Sequence, residues 1–399
     1  MIKHKDHRII NKNMHLYHKQ SESPGMIFWH SNGLIVFREL ENFIRTQLIK
    51  WKYEEVKTPI ILHENFWEKS GHLDYFKESM FFTAMENKKY YLKPMNCPAH
   101  IQVFNKYLKS YRDLPVRIAE FGICHRNEPS GSLYGLLRLK SFTQDDAHIF
   151  CTEDQIQSEI INCIKMIFDC YSVFGFKNIR VKFSTRPNKS IGTDDIWNRA
   201  EISLKNALLQ TKTKFDHQDG EGAFYGPKIE FILEDCFKRL WQCGTIQLDF
   251  YLPSRFNSCY IDCNNTRQIP IVIHRAILGS IERFIGILLE EYSGFFPIWL
   301  SPVQVVVINV NHDHIFYVKS VFSQLLSENI RVKYDVKPEK INFKIRKYTL
   351  ACVPYILICG DKEVYHKKIS VRYKNRIMKL IDIDVFIKNI KHKIENRIL

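Results

Sequence analysis

The residues most suggestive of chemistry lie between positions 120 and 148. Arg138, Phe142 and Asp146 follow a polar turn at 130–132 at four-residue steps. The pattern predicts a strand–turn–strand hairpin with that turn at its tip. Side chains on one face of a strand repeat every second residue, so these three are expected on a single face. A guanidinium, an aromatic ring and a carboxylate together suit a phosphate, a purine and an ammonium group.

Two more arginines extend this pattern. Arg126 and Glu128 stand on the N-terminal side of the turn, and Arg283 lies far along the chain in the segment 274–284. We expect that segment to open a helix, with Gly279 letting the backbone approach closely and sharing a face with Arg283. Arginine suits bidentate capture of a polyphosphate end. The alternatives are an ordinary charged hairpin face and a surface helix arginine, and the latter is the more common use of such a residue.

The elements that must position these residues fall into two regions, divided near 297–302. The first region, residues 1–300, predicts an α+β layer built on an antiparallel sheet and flanked by helices. The second, residues 301–399, shows a βαβα order typical of a small α/β domain. The predicted helices are 33–50, 155–174, 315–326, 342–350 and 385–398. The predicted strands are 53–59, 89–92, 117–125, 140–149, 181–183, 223–233, 244–251, 303–310, 330–336, 354–359 and 369–373.

Composition limits the class of protein. The chain has 399 residues, a net charge of +15 and 45% hydrophobic residues. No apolar run reaches 18 residues, so no membrane span is expected. The eleven cysteines contain no Cys-x-x-Cys pair, and this favours a reducing cytoplasm. Residues 301–399 carry 19 lysines and arginines against nine acidic residues; such a segment usually faces a polyanion, although a merely soluble basic domain is the alternative.

The sequence around the hairpin resembles motif 2 of class II aminoacyl-tRNA synthetases. Cys-His-Arg-Asn-Glu-Pro-Ser-Gly-Ser-Leu at 124–133 and Phe-Thr-Gln-Asp-Asp-Ala-His-Ile-Phe at 142–150 are similar to threonyl-tRNA synthetases in particular. The segment 274–284 resembles their motif 3. The helix 33–50 and the strand 53–59 resemble motif 1, whose function in the family is dimer contact, although the periodicity of the helix is equally compatible with packing within its own chain. Segments such as 25–30, 221–228 and 241–250 extend the resemblance over essentially the whole chain.

The resemblance implies roles for individual residues. Arg126 would hold the ATP α-phosphate and the substrate carboxylate, Phe142 would stack on adenine, and Arg283 would hold the γ-phosphate. His72 matches a histidine that handles the terminal tRNA ribose, although a loop histidine would otherwise pass as ordinary. Further ATP-binding positions are Glu128, Arg138 and Gln242, and those around threonine and its adenylate are Gln144, Asp146, Tyr225, Lys228 and Gln247.

A metal site is implied by the resemblance alone. Cys97, His148 and His274 are 51 and then 126 positions apart, and without the resemblance each would be interpreted as a structural residue. In the family these three residue types bind Zn²⁺ at matching positions. Three ligands leave one position open to a substrate bearing an amino and a hydroxyl group. Valine, lacking the hydroxyl, would be rejected strongly, whereas serine lacks only a methyl group.

The C-terminal region carries both matches and departures. Glu363 and Arg372 match residues of the family's anticodon reader, and both could equally be solvent-facing charges. Pro338 stands where the family more often has Asn, and Ala351-Cys352 replaces a basic pair. These changes leave the anticodon bases that are read undetermined. The family's N-terminal editing module has no counterpart here, so we expect no hydrolysis of Ser-tRNA(Thr) in cis.

The resemblance, together with the cysteine usage, therefore implies a cytoplasmic, homodimeric member of the threonyl-tRNA synthetases in a short form without the editing domain. Its expected substrates are ATP with Mg²⁺, L-threonine and tRNA(Thr), with one Zn²⁺ per subunit. The alternative is a synthetase-like RNA-binding or regulatory protein that has lost catalysis. Such relatives typically lose motif arginines or zinc ligands, and here both sets are present.

Overall fold

The structure, a computed structural model, describes residues 5–373 and 376–399. The chain divides into two compact units. The large unit comprises residues 20–26 and 41–284, and the small unit comprises residues up to 19, residues 27–40 and those from 285 onward.

Helices and strands alternate along both units. The helices are α1 (His7–Met14), α2 (Ser31–Lys50), α3 (Glu64–Ser70), α4 (His72–Phe76), α5 (Cys97–Asn105), α6 (Ile156–Val173), α7 (Asp194–Gln210), α8 (Leu252–Arg255), α9 (Ile281–Glu291), α10 (Ile315–Ser327), α11 (Ile341–Leu350), α12 (Asp361–His366) and α13 (Ile383–Glu395). The strands are β1 (Tyr17–His18), β2 (Phe28–Trp29), β3 (Glu54–Glu55), β4 (Ile61–His63), β5 (Phe82–Met85), β6 (Lys88–Leu92), β7 (Lys109–Ser110), β8 (Val116–His125), β9 (Ser141–Cys151), β10 (Ile179–Ser184), β11 (Asp216–Gln218), β12 (Lys228–Glu234), β13 (Leu240–Asp249), β14 (Tyr260–Ile261), β15 (Arg267–Gln268), β16 (Ile271–Ser280), β17 (Val305–Asn309), β18 (Val332–Asp335), β19 (Tyr355–Cys359), β20 (Ile369–Tyr373) and β21 (Arg376–Ile381).

The large unit is organised around an eight-stranded sheet in the order β11-β10-β12-β13-β16-β9-β8-β3. Every neighbouring pair from β10 to β8 is antiparallel, and only the edge strands β11 and β3 run parallel to their neighbours. The predicted antiparallel α+β architecture is confirmed. Smaller sheets join β4, β6 and β5, and β15, β14 and β7.

Helix α6 packs against this sheet through one apolar side. Ile156, Ile160, Ile164 and Ile167, the stripe that its sequence predicts, are all buried. The helix contacts β13 and β16 in the middle of the sheet. Its burial therefore supports the strands that line the site described below.

The predicted hairpin is formed by β8 and β9, with 126–140 connecting them. Cys124 pairs with Phe142, and Glu120 with Asp146. Arg138 does not lie on the strand as predicted, because the chain between the two strands folds back locally and residue 138 bridges Tyr134 instead.

The segment that begins at His274 is a strand before it is a helix. Strand β16 continues to Ser280 between β13 and β9, and α9 begins only at Ile281. The prediction that Gly279 and Arg283 share a helix face is therefore wrong. Gly279 has a φ of 73°, and a Cβ there would lie 2.8 Å from the carbonyl oxygen of Cys243, so glycine permits both the turn and the close approach.

Two predicted strands of the large unit are shorter than expected. Of residues 53–59, only β3 pairs with the sheet. The strand predicted over 223–233 begins at Lys228, because Pro227 cannot donate a backbone hydrogen bond.

The small unit contains a five-stranded sheet in the order β18-β17-β19-β20-β21. The pairs around β17 are parallel and those from β19 to β21 are antiparallel. One core cluster joins the sheet residues Val305 and Leu357 to Val318 and Leu325 of α10 and Phe386 of α13. The predicted α/β architecture is confirmed, although β21 was not predicted.

Candidate active site

A cavity of about 510 Å³ opens on the large sheet. It brings together most of the predicted site residues, although they come from six separate stretches of sequence. The predicted residues that line it are Cys97, Arg126, Glu128, Arg138, Phe142, Gln144, Asp146, Tyr225, Lys228, Gln242, Gln247, His274 and Arg283.

One end of the cavity concentrates positive charge. Arg126 donates from Nε to the carbonyl oxygen of Pro94 (3.2 Å), and its guanidinium lies 5.2 Å from the centre of the Phe142 ring. Arg283 donates to the carbonyl oxygens of Leu137 (2.9 Å) and Gln242 (3.1 Å). Backbone carbonyls thus fix both guanidiniums without neutralising them.

These arginines repel each other. The pKa of Arg283 is lowered, first by burial and also by the charges of Arg126 and Arg138. Arg138 is partly neutralised by Glu128, with 2.7 Å between its Nη2 and Oε2. A polyanion placed among these groups would relieve the repulsion, so this end suits a nucleotide phosphate chain.

A buried carboxylate that the sequence analysis did not single out, that of Asp145, positions the backbone at this end of the cavity. Asp145 accepts hydrogen bonds from the amides of Ile277, Leu278 and Gly279, each at 2.9 Å. Burial raises its pKa to about 7, against the influence of Arg275 and these amides. Asp145 therefore holds the irregular end of β16 from which α9 and Arg283 start.

At the other end, Cys97, His148 and His274 converge. One donor atom of each lies within 4.8 Å of the others, and all three residues are buried. His148 Nε2 and His274 Nδ1 are 3.2 Å apart. His274 lines the cavity, whereas His148, directly opposite it on the neighbouring strand, is fully buried. One thiol and two imidazoles match the donors that zinc prefers, and three ligands are typical of a site that keeps a position for substrate.

The second ring nitrogens of both histidines are also engaged. His274 Nε2 lies 3.0 Å from Asp249 Oδ2, and His148 Nδ1 lies 2.8 Å from His100 Nδ1. Such outer partners fix which nitrogen faces a metal. Neither Asp249 nor His100 was predicted, because no local spacing connects them to the three candidate ligands.

Polar side chains border the candidate metal site. Asn96 donates to Asp146 Oδ2 at 3.0 Å, and Tyr225 donates its hydroxyl to Gln247 Oε1 at 2.7 Å. Asn96 is fully buried against Gly122, where any side chain would collide with it. The carboxylate of Asp146 is thereby held at the wall, where it can accept hydrogen bonds from an ammonium group.

His72 lies beneath an aromatic cover rather than in the cavity wall. It is fully buried, its Nδ1 lies 2.9 Å from Ser70 Oγ, and the rings of Trp67, Phe76 and Phe224 surround it. Within the described residues its Nε2 has no hydrogen-bond partner. Burial lowers its pKa to about 4, reinforced by His274 and Arg126. The imidazole is therefore neutral near pH 7.

Two family profiles match the chain. Residues 81–292 match the class II core domain of the tRNA synthetases for G, H, P, S and T, and residues 304–396 match an anticodon-binding domain. A crystal structure described as the RNA-binding domain of threonyl-tRNA synthetase from Cryptosporidium parvum Iowa II superposes with a TM-score of 0.93. It is 41% identical, with 97% of this chain and 98% of that chain covered. The chain belongs to the threonyl-tRNA synthetases of class II.

Curated relatives agree with this family. The chain is 60% identical over 397 residues to the "Threonine--tRNA ligase" of Buchnera aphidicola subsp. Schizaphis graminum (strain Sg) and 58% identical to that of Buchnera aphidicola subsp. Acyrthosiphon pisum (strain Tuc7). Each match covers 99% of this chain, which spans 62% of the length of either relative. Across the described residues, no helix is both long and apolar enough to cross a bilayer.

The two residues predicted to read the anticodon differ in their surroundings. Glu363 is buried, with Oε2 accepting from the amide of Gly360 (2.9 Å) and Oε1 from Ser370 Oγ (2.5 Å). Its carboxylate thus caps the N-terminus of α12. Arg372 on β20 is half-buried, and in the described part of the chain its Nε has no hydrogen-bond partner.

Proposed function

We propose that the chain activates L-threonine with ATP and transfers it to the 3′ end of tRNA(Thr). The observation that carries this proposal is a single cavity that combines the Cys97–His148–His274 donor set with the Arg126–Arg283 pair. In the proposal, residues 1–300 catalyse the reaction and residues 301–399 bind the anticodon. The names of the curated relatives and the crystal structure support it.

ATP would bind at the arginine end of the cavity. Arg126 would contact the α-phosphate, Arg283 the γ-phosphate, and Phe142 would stack on adenine. Attack by a carboxylate on the α-phosphate depends mainly on positioning and charge neutralisation. Fixed guanidiniums provide both, with Mg²⁺ accompanying the nucleotide. Glu128, Arg138 and Gln242 would complete the nucleotide site.

Threonine would bind at the other end. Cys97, His148 and His274 would hold Zn²⁺, which when bound supplies a Lewis-acidic position for the amino and hydroxyl groups of threonine. Asp146, oriented by Asn96, would accept a hydrogen bond from the amino group. The remaining proposed contacts to threonine or its adenylate are Gln144, Tyr225, Lys228 and Gln247.

Threonine-dependent ATP–pyrophosphate exchange tests this function. We expect exchange with threonine, weaker exchange with serine and almost none with valine, because the site is built to engage a hydroxyl group. Bound zinc should be close to one per chain. Binding of tRNA without exchange would instead support the catalytically inactive RNA-binding alternative.

His72 is proposed to act in transfer rather than in activation. His72→Ala should leave exchange nearly unchanged and slow aminoacylation by roughly 100-fold, the usual scale for a general base. Because its pKa is about 4, the wild-type imidazole is already unprotonated at pH 6, so the transfer rate should show no break from this group between pH 6 and 8. Rapid-quench transfer from preformed adenylate separates the two steps. Equal losses in both would contradict the role.

Arg372 is proposed to contact the anticodon. Arg372→Ala should weaken tRNA(Thr) binding by about 1–2 kcal/mol, roughly tenfold, without changing exchange. Lys388→Ala removes one exposed positive charge from the same unit and should have a smaller effect. A filter-binding titration at fixed salt compares the tRNA affinities of the two variants. Equal losses of affinity would mean that Arg372 contributes only a non-specific positive charge.

We further propose a cytoplasmic homodimer, formed through the region of α2 and β3 that resembles motif 1. Light scattering at micromolar concentration would give the mass of a dimer. A monomeric mass would rule out this assembly while leaving the active-site assignments intact.

A further inference from the structure

Next to His148 lies another buried histidine, His100, to which no role has been assigned. His100 lies on α5, three residues after Cys97, and is fully buried. Its Nδ1 is 2.8 Å from His148 Nδ1, and its Nε2 is 3.1 Å from Glu120 Oε2. Both ring nitrogens are thus committed to side chains, one to a candidate metal ligand and one to a carboxylate.

Glu120 is a strongly held anion. Its carboxylate accepts from the amide of Thr58 (3.0 Å), the hydroxyl of Thr58 (2.8 Å) and Nζ of Lys93 (3.0 Å), besides His100. Burial raises its pKa, but the hydrogen bonds from His100 and Thr58 and the charge of Lys93 outweigh it and lower the pKa to about 2. An ionised carboxylate can only accept, so the proton between Glu120 and His100 belongs to His100 Nε2.

The remaining proton positions follow from this assignment. When His148 binds a metal through Nε2, its proton lies on Nδ1 and is donated to His100 Nδ1, while His100 Nε2 donates to Glu120. His148 then carries its lone pair on Nε2, the nitrogen that lies 3.2 Å from His274 Nδ1. The reverse tautomer of His148 would put a proton where a metal has to bind.

We propose that His100 is a positioning residue that, with Glu120, fixes His148 in its metal-binding tautomer and orientation. This inference rests on the zinc site of the proposed function. His274 reaches its carboxylate, Asp249, directly, whereas His148 reaches Glu120 through one intervening imidazole. The two ligands are therefore oriented by unequal outer partners, and a change at His100 should act on His148 alone.

Two variants at His100 separate this role from simple packing. His100→Leu keeps an apolar volume and leaves the Lys93–Glu120 pair intact, but it removes both hydrogen bonds. His100→Gln can accept from His148 with its carbonyl and donate to Glu120 with its amide. His125→Gln is the matched control, since His125 lies on β8 and bonds Ser141 Oγ (3.1 Å), outside the proposed zinc shell.

The measurement is zinc affinity by competition with a chromophoric chelator, together with the visible spectrum of the Co²⁺-loaded chain and thermal unfolding. His100→Leu should bind zinc roughly 10- to 100-fold more weakly and shift the Co²⁺ bands, the scale seen for lost outer-shell partners, whereas His100→Gln and His125→Gln should stay near wild type.

Wild-type zinc affinity in His100→Leu with unchanged unfolding would overturn the inference and leave the proposed function standing. Equal weakening in both His100 variants would also overturn it, because the hydrogen bonds would not matter. A wild-type chain that binds no zinc would overturn the zinc site itself, and the inference with it.

Discussion

Replacing Arg283 with alanine should lower threonine-dependent ATP–pyrophosphate exchange by roughly 1,000-fold. The guanidinium is held by the carbonyl oxygens of Leu137 and Gln242, so it is positioned before a nucleotide arrives. Removing one preorganised charge from a phosphoryl-transfer site typically costs 100-fold or more, and arginines that meet transferring phosphates often cost about 1,000-fold or more. The loss should be mainly in the turnover rate, with threonine binding retained.

Arg180→Ala is the control for this experiment. Arg180 is an exposed arginine on the same large sheet, and its guanidinium pairs with Glu234 at 3.0 Å. It should keep wild-type exchange. Because Arg283 also joins two backbone segments, circular dichroism melts should accompany the kinetics. Exchange within about threefold of wild type in a folded Arg283→Ala chain would reject the phosphate role.

Replacing Cys97 with alanine should remove zinc and threonine activation together. Three donors would hold the proposed metal, and the loss of the thiolate should lower the metal content at least roughly tenfold after dialysis. Burial and the charges of Asp146 and Asp249 raise the pKa of the Cys97 thiol in the metal-free chain, so a cation is needed to stabilise its thiolate. ATP should still bind, since Arg126, Arg283 and Phe142 are unchanged.

Cys151→Ala is the matched control, because Cys151 is a buried cysteine at the far end of β9. It should keep one zinc per chain and normal exchange. Metal content by atomic emission and nucleotide binding by equilibrium dialysis separate the two effects. A Cys97→Ala chain that retained both zinc and threonine selectivity would remove Cys97 from the site.

The sequence predicted the strands and helices whose local pattern is strong. Helix α6 has a clear apolar stripe, and the hairpin of β8 and β9 has a polar turn between its two strands. The helix predicted for the segment that begins at His274 was wrong for a physical reason. Six of the eight residues at 271–278 are apolar, and such a run is compatible with a helix or a buried strand until its neighbours are known. Pairing with β13 and β9 on both sides decides in favour of the strand.

The site shows the same division. Arg138, Phe142 and Asp146 are close in sequence and could be grouped from their spacing, and all three line the cavity. The grouping of Cys97, His148 and His274 depended instead on a family resemblance. Neither the spacing of residues nor the family resemblance pointed to Asp249, Asn96 or His100. Their contacts are made between strands and helices distant in the chain, and only the folded sheet brings those together.

The alignment of neighbouring strands gives the candidate metal site a further property. Gln247, His274 and His148 stand opposite one another on β13, β16 and β9. Sliding β16 by one residue would place Arg275 in the row and turn His274 toward the opposite side of the sheet. Metal binding at this site would then report whether β16 and β9 have paired correctly, so a refolding chain that binds a metal there has also found the register of these two strands.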